Sequence, residues 1–118
     1  MDASQVIADV MDEWKAGIDA HDPARVAAVF TEDAVFQGLR PYGVGRATVA
    51  DYYDSQPVGM TVTYDIRESR GPADTVVFGY VAATFRFPDQ QTVDVGIGVV
   101  LTRGRGGWQI AQYQASRV

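Results

Sequence analysis

The hydrophobic period of this 118-residue chain changes once, near Met60, and that change restricts it to one class of architecture. Before it, Val6, Ile7, Val10, Met11, Trp14 and Ile18 recur at helical spacing between Ala3 and Ala20, with Asp9, Asp12, Glu13 and Asp19 on the other side. After it, Met60, Val62, Tyr64 and Ile66 alternate with Thr61, Thr63, Asp65 and Arg67, the period of a half-buried strand. Helices followed by long hairpins predict an α+β domain in which three N-terminal helices pack on a curved, mainly antiparallel sheet.

The punctuation fills in this outline. Asp22-Pro23 reads as an N-cap and first turn, opening a second helix that turns Val26, Val29 and Phe30 inward and ends near Thr31. An extended run, Ala34 to Gln37, leads into a loop broken by Gly38, Pro41, Gly43 and Gly45, and a third helix is predicted from Arg46 to Asp54. Strands follow from Met60, from about Thr75 to Phe87, from Thr92 to Arg103 and from Trp108 to about Arg117. The turns between them fall at Gly71-Pro72, Pro88-Asp89 and the run Gly104 to Gly107. A hydrophobic content of 47% at this length matches one core, hence a single domain over residues 1–118.

Composition excludes several functions. A net charge of −5 opposes counterion-driven binding to nucleic acid or an anionic membrane. The chain has no cysteine and one histidine, so no metal-ligand set forms, and no Gly-x-Gly-x-x-Gly follows a strand to hold a dinucleotide; no cofactor is expected. No apolar run approaches the ~20 residues of a membrane span, and Asp2 stands where a signal peptide carries positive charge, so the expected compartment is the cytoplasm.

The last strand points to a site. Every second residue from Trp108 gives Trp108, Ile110, Gln112, Gln114 and Ser116, apolar first and then polar. An unpaired buried amide costs roughly 1–3 kcal/mol, so this face is expected to line a cavity rather than solid core. Pairing Leu101 with Ile110 would set Val93, Val95, Ile97, Val99 and Leu101 on the same face, against the helices. The opposite face would then carry Asp94, Gly96, Gly98, Val100, Gln109, Ala111, Tyr113 and Ala115, suited to a homodimer contact through the outer sheet face. Asp94 is expected to pair with Arg86 across its hairpin, while the orientation of Tyr80, Thr84 and Arg86 stays open.

Helix, Asp-Pro helix, the phrase Phe30-Thr31-Glu32-Asp33-Ala34-Val35-Phe36, a Gly43/Gly45 loop with a helix, and four strands closing on Gly107-Trp108-Gln109-Ile110-Ala111 resemble the nuclear transport factor 2-like superfamily over nearly the whole chain. Within it the chain is similar to SnoaL-like proteins, particularly the SgcJ/EcaC group, through Trp108, Ile110, Tyr113, Gln114 and Ser116. The resemblance implies a cone-shaped fold with a deep pocket between the sheet and the first helix, commonly dimeric. It also implies a link to polyketide and enediyne biosynthesis.

Enzymes of that superfamily place a carboxylate or histidine in an apolar pocket, as in ketosteroid isomerase, a standard illustration of a tuned aspartate base. No equivalent is evident here, and no catalytic residue is nominated. His21 reads as a helix-end residue, and Asp33, Asp51 and Asp54 as caps or exposed turn residues. The expected ligand site sets Gln112, Gln114 and Ser116 against Trp14, Phe36 and Tyr53, holding a hydrophobic, oxygenated small molecule. Whether the chain is an enzyme is left open: a cofactor-independent isomerase, cyclase or dehydratase is one reading, and a non-catalytic binding or dimeric interaction module the other. A cavity below the usual ~300 Å³ would favour the module.

Overall fold

The computed structural model describes residues 2–118. Helix α1 (Ala3–Asp19) is capped by Asp2, whose carboxylate accepts the Gln5 N–H at 3.2 Å. It stops because His21 adopts φ 49°, a left-handed conformation that reverses the chain and lets the Asp22 N–H reach the Gly17 carbonyl at 2.8 Å. Asp22 then caps α2 (Pro23–Ala27). This helix is shorter than expected because the chain is already extended at Phe30, where β1 (Phe30–Gln37) begins. There follow β2 (Gly43–Val44), α3 (Arg46–Asp54), β3 (Thr61–Ala73), β4 (Val76–Arg86), β5 (Thr92–Gly104) and β6 (Gly107–Arg117).

The six strands form one curved sheet in the order β2-β1-β6-β5-β4-β3, parallel only where β1 joins β6. Along β4 and β5 the inner face carries Val77, Val81, Ala83, Val95, Ile97, Val99 and Leu101, which share a core with Ile7, Met11, Trp14 and Ile18 of α1. Helix α1 also secures the sheet's edge. Asp19 accepts the Val62 N–H at 3.0 Å, and Lys15, paired with Asp19 at 2.7 Å, donates to the Val62 carbonyl at 2.6 Å. An edge residue that would otherwise present both backbone groups to solvent is thereby satisfied.

Two expectations about the hairpins are corrected. Gly71 and Pro72 lie within the irregular end of β3, and the turn falls at Asp74-Thr75, closed by the pair Ala73 and Val76. Asp94 stands opposite Thr84, whose hydroxyl it accepts at 2.7 Å, whereas Arg86 stands opposite Thr92. Tyr80, Thr84 and Arg86 all belong to the outer face, since Val81, Ala83 and Phe85 alternate inward between them.

The largest correction concerns β6. Leu101 pairs with Ile110 as expected, but the next pair is Val100 with Gln112, so Ala111 is an extra residue and forms a β-bulge. One added residue exchanges the two faces of everything after it. Tyr113 and Ala115 are therefore buried on the inner face, while Gln112, Gln114 and Ser116 stand exposed on the outer one. The expected inward aim of these three polar residues, and the expected outward aim of Tyr113 and Ala115, are both reversed. The physical reason is the one that first drew attention to the amides: a small residue accommodates the bulge, and the apolar side chains rather than the carboxamides turn inward. Deleting Ala111 should force Gln112 and Gln114 into the core and cost more than about 4 kcal/mol in chemical denaturation, whereas Gln112→Thr should stay within about 0.5 kcal/mol of the parent.

Candidate functional site

The second half of β6 faces a cavity of about 190 Å³ enclosed by the ends of β4 and β5, by α3 and by the segment after β1. Met60, Phe85, Phe87, Val93, Val95 and Ala115 make its apolar wall. Tyr52 of α3 and Tyr113 of β6 add aromatic faces. Gly38 is required at the entrance: a Cβ there would come within 2.3 Å of the Tyr52 ring. That close approach lets the Tyr52 hydroxyl accept the Leu39 N–H at 3.1 Å.

Tyr113 is the innermost polar group of the cavity and is held by a cluster of rings. It stacks on Phe36 at 4.9 Å and 24°, and packs near Phe30 and Trp14 at 5.9 and 6.1 Å. The Trp14 indole N–H donates to the Tyr53 hydroxyl at 3.1 Å, and a longer contact of 3.4 Å joins the Tyr53 and Tyr113 hydroxyls. Indole nitrogen only donates, so the Tyr53 oxygen is the acceptor of the first bond. If Tyr113 donated to Tyr53, the Tyr53 proton would need an acceptor in a crevice of about 10 Å³, about the least space that holds one water. The alternative order, Trp14 to Tyr53 to Tyr113, leaves the last proton on Tyr113, the one residue of the three that lines the cavity. The relay thus ends on a residue of the cavity wall.

Burial raises the pKa of both phenols above the ordinary range, so each stays neutral at physiological pH. Among the described residues no aspartate, glutamate or histidine borders the cavity. His21 lies beside the separate small crevice, with Tyr53 and Met60. Arg40 and Arg117 stand at the mouth and carry the site's only formal charge among the described residues. Arg40 sits 5.7 Å from the Tyr52 ring centre and donates to the Ser55 hydroxyl at 3.2 Å. No metal-ligand cluster occurs among the described residues.

Of the residues expected to form the site, Trp14, Phe36 and Tyr53 do come together, but as buried core behind Tyr113 rather than as cavity wall. Gln112, Gln114 and Ser116 lie on the other side of the sheet. Tyr113, Tyr52, Arg40 and Arg117 went unselected. The signal for one of them was present: Tyr113, Ala115 and Arg117 form an alternation out of phase with Trp108 and Ile110, and a phase slip within one strand marks a bulge.

Tyr64, whose hydroxyl donates to the Asp12 carboxylate, shares the raised pKa, again chiefly through burial. A phenol whose pKa is higher folded than unfolded stabilises the fold below the unfolded value of about 10, and that contribution fades as pH rises beyond it. Ultraviolet titration should thus show the phenolates of Tyr53, Tyr64 and Tyr113 only above pH 10, together with unfolding. Tyr113→Phe should remove one of these late transitions.

A family model described as a SnoaL-like domain matches residues 7–118. No curated protein matches the chain. Among solved structures, a ketosteroid isomerase-like protein from Erwinia carotovora atroseptica is 25% identical over 97% of this chain and 95% of its own, with a TM-score of 0.82. A protein described as an aromatic ring hydroxylase of Novosphingobium aromaticivorans is 20% identical over 98% and 89%, with a TM-score of 0.76. A Xanthomonas campestris protein described as a calcium/calmodulin-dependent protein kinase II association domain is 18% identical over 95% and 85%, with a TM-score of 0.79. Fold, topology and the near-complete match of the family model agree: the chain belongs to the SnoaL-like domain family, within the nuclear transport factor 2-like superfamily.

Proposed function

We propose that this protein holds a compact, hydrophobic, oxygenated small molecule in the cavity beneath β6, and that its chemistry is orientation and polarisation rather than proton abstraction. The observation that carries this reading is a mainly apolar cavity with Tyr113, a neutral phenol, in its wall and no aspartate, glutamate or histidine among the described residues that line it. Such a phenol polarises a carbonyl or fixes a hydroxyl. Isomerisation, cyclisation or dehydration of an already activated intermediate is the compatible reaction class, and the ketosteroid isomerase-like neighbour supports that direction. The volume of about 190 Å³ is below the ~300 Å³ typical of drug-sized ligand sites, which favours non-catalytic binding over turnover of a large polycyclic substrate. We assign the protein to polyketide or enediyne-type biosynthesis, on its similarity to the SgcJ/EcaC group. Native mass spectrometry of the purified protein should reveal a retained small molecule, and Ala115→Trp, which fills the cavity, should abolish retention. A parent protein that never carries a ligand, or a filled variant that still does, would refute the reading.

A second copy of the chain is the proposed partner, meeting the outer sheet face. Phe78 and Tyr80 are each 44% exposed there, Val35 is 40% exposed, and the neutral Gln112 and Gln114 lie among them in place of charge. Gly98 opposite Tyr80 leaves open space for a side chain from the other subunit. The association-domain neighbour supports self-assembly of the fold. Sedimentation equilibrium should give a dimer, and Phe78→Lys should shift it to monomer by introducing an unpaired charge into the contact.

A further inference from the structure

The lining of the cavity has a charge pattern that the rest of the surface does not lead one to expect. Acidic side chains number 15 against 10 basic ones, yet among the described residues none of the acids borders this space, while two arginines do. Of the eight other cations five find partners, Lys15 with Asp19, Arg25 with Glu13, Arg46 with Glu32, Arg67 with Asp65 and Arg70 with Glu68, while Arg86, Arg103 and Arg105, away from the cavity, form no ion pair with a described residue. Neither Arg40 nor Arg117 forms an ion pair with a described residue. Asp94, the acid nearest to Arg117 along the paired strands, is turned to the outer face by its bond with Thr84.

Strand geometry sets where Arg117 leaves the sheet, and local contacts hold the Arg40 side chain. Arg117 follows Tyr113 and Ala115 on the inner face, a placement produced by the bulge at Ala111. Arg40 is steadied over the Tyr52 ring and by Ser55, whose own hydroxyl donates to the Tyr52 carbonyl at 2.6 Å. Two guanidinium groups without acidic partners at the rim of an apolar cavity offer the donors by which arginine binds carboxylates.

We propose that the ligand is a compact organic acid, its hydrocarbon body against Phe85, Val93 and Ala115, its carboxylate at the mouth on Arg40 and Arg117, and an acceptor oxygen at its inner end on Tyr113. This rests on the reading of the cavity as a small-molecule site and adds the ligand's charge to it. The carboxylate offsets one of the two guanidinium charges, and the other is not a buried unpaired ion, since both arginines keep contact with water.

Titration calorimetry with 4-hydroxyphenylacetate and 4-hydroxyphenylacetamide tests the charge. The two probes share one ring and one distal oxygen, and differ in the ionised group. The acid should bind about tenfold more tightly or better, and the double variant Arg40→Gln/Arg117→Gln should reduce that preference to less than about twofold. Arg105→Gln, in the β5–β6 turn, should leave it unchanged, and Ala115→Trp should abolish binding of both probes. Equal affinity for acid and amide would overturn the organic-acid proposal while leaving the cavity reading intact. Inorganic phosphate competing as strongly as the acid would overturn it in favour of a bare anion site. Failure of both ring compounds to bind would overturn the proposal and the cavity reading together.

Discussion

Shutting a carboxamide away from water without partners costs roughly 1–3 kcal/mol, and β6 carries two carboxamides at successive same-face positions. The sheet meets this constraint by spending one residue, Ala111, on a bulge. Before it, Ile110 sits in the core; after it, Tyr113 and Ala115 take the inner positions and Gln112, Gln114 and Ser116 pass to the outside. Strand pairing continues on both sides of the bulge, because β1 is itself irregular between Phe30 and Val35, where it runs beside the same part of β6. The two irregularities together allow Phe36 to stack on Tyr113. The bulge thus determines the composition of the aromatic core and of the cavity above it.

Within that core the donor-only character of the Trp14 indole orders the chain of hydroxyls. Trp14 comes from α1, Tyr53 from α3 and Tyr113 from β6, so one short relay ties together three elements distant in sequence. Its direction follows from where space exists: the crevice beside Tyr53 is nearly closed, and the volume beside Tyr113 is not. The same arrangement underlies the proposed choice of polarisation over proton abstraction. Neutral phenols in an apolar setting polarise a bound oxygen but do not remove a carbon-bound proton.

Much of the architecture was legible in the sequence because it depends on local rules. The α1 stripe, the Asp22-Pro23 start and the inward set of β5 from Val93 to Leu101 each follow from periodicity or capping, and each is found in the structure. The register at Leu101 and Ile110 was legible too, since a glycine-rich turn fixes its flanking pair. The site was less so. Strict alternation extended through Ile110 assigned Gln112 and Gln114 to the interior, and only a change of phase beginning at Tyr113 could have corrected it. Arg40 was hidden for another reason: its position depends on Tyr52, twelve residues away, and on the missing side chain of Gly38.

The contact between Gly38 and Tyr52 bears on how a guest enters and leaves. Bonds from the Leu39 amide to the Tyr52 phenol and from Arg40 to Ser55 fasten the segment after β1 to α3 and its C-cap, and the Arg40 side chain lies over the Tyr52 ring. Widening the doorway means parting both bonds and lifting the cation from its aromatic rest. For the ligand proposed above, that seam would act as a sieve by girth, passing narrow molecules while broader ones wait on its release.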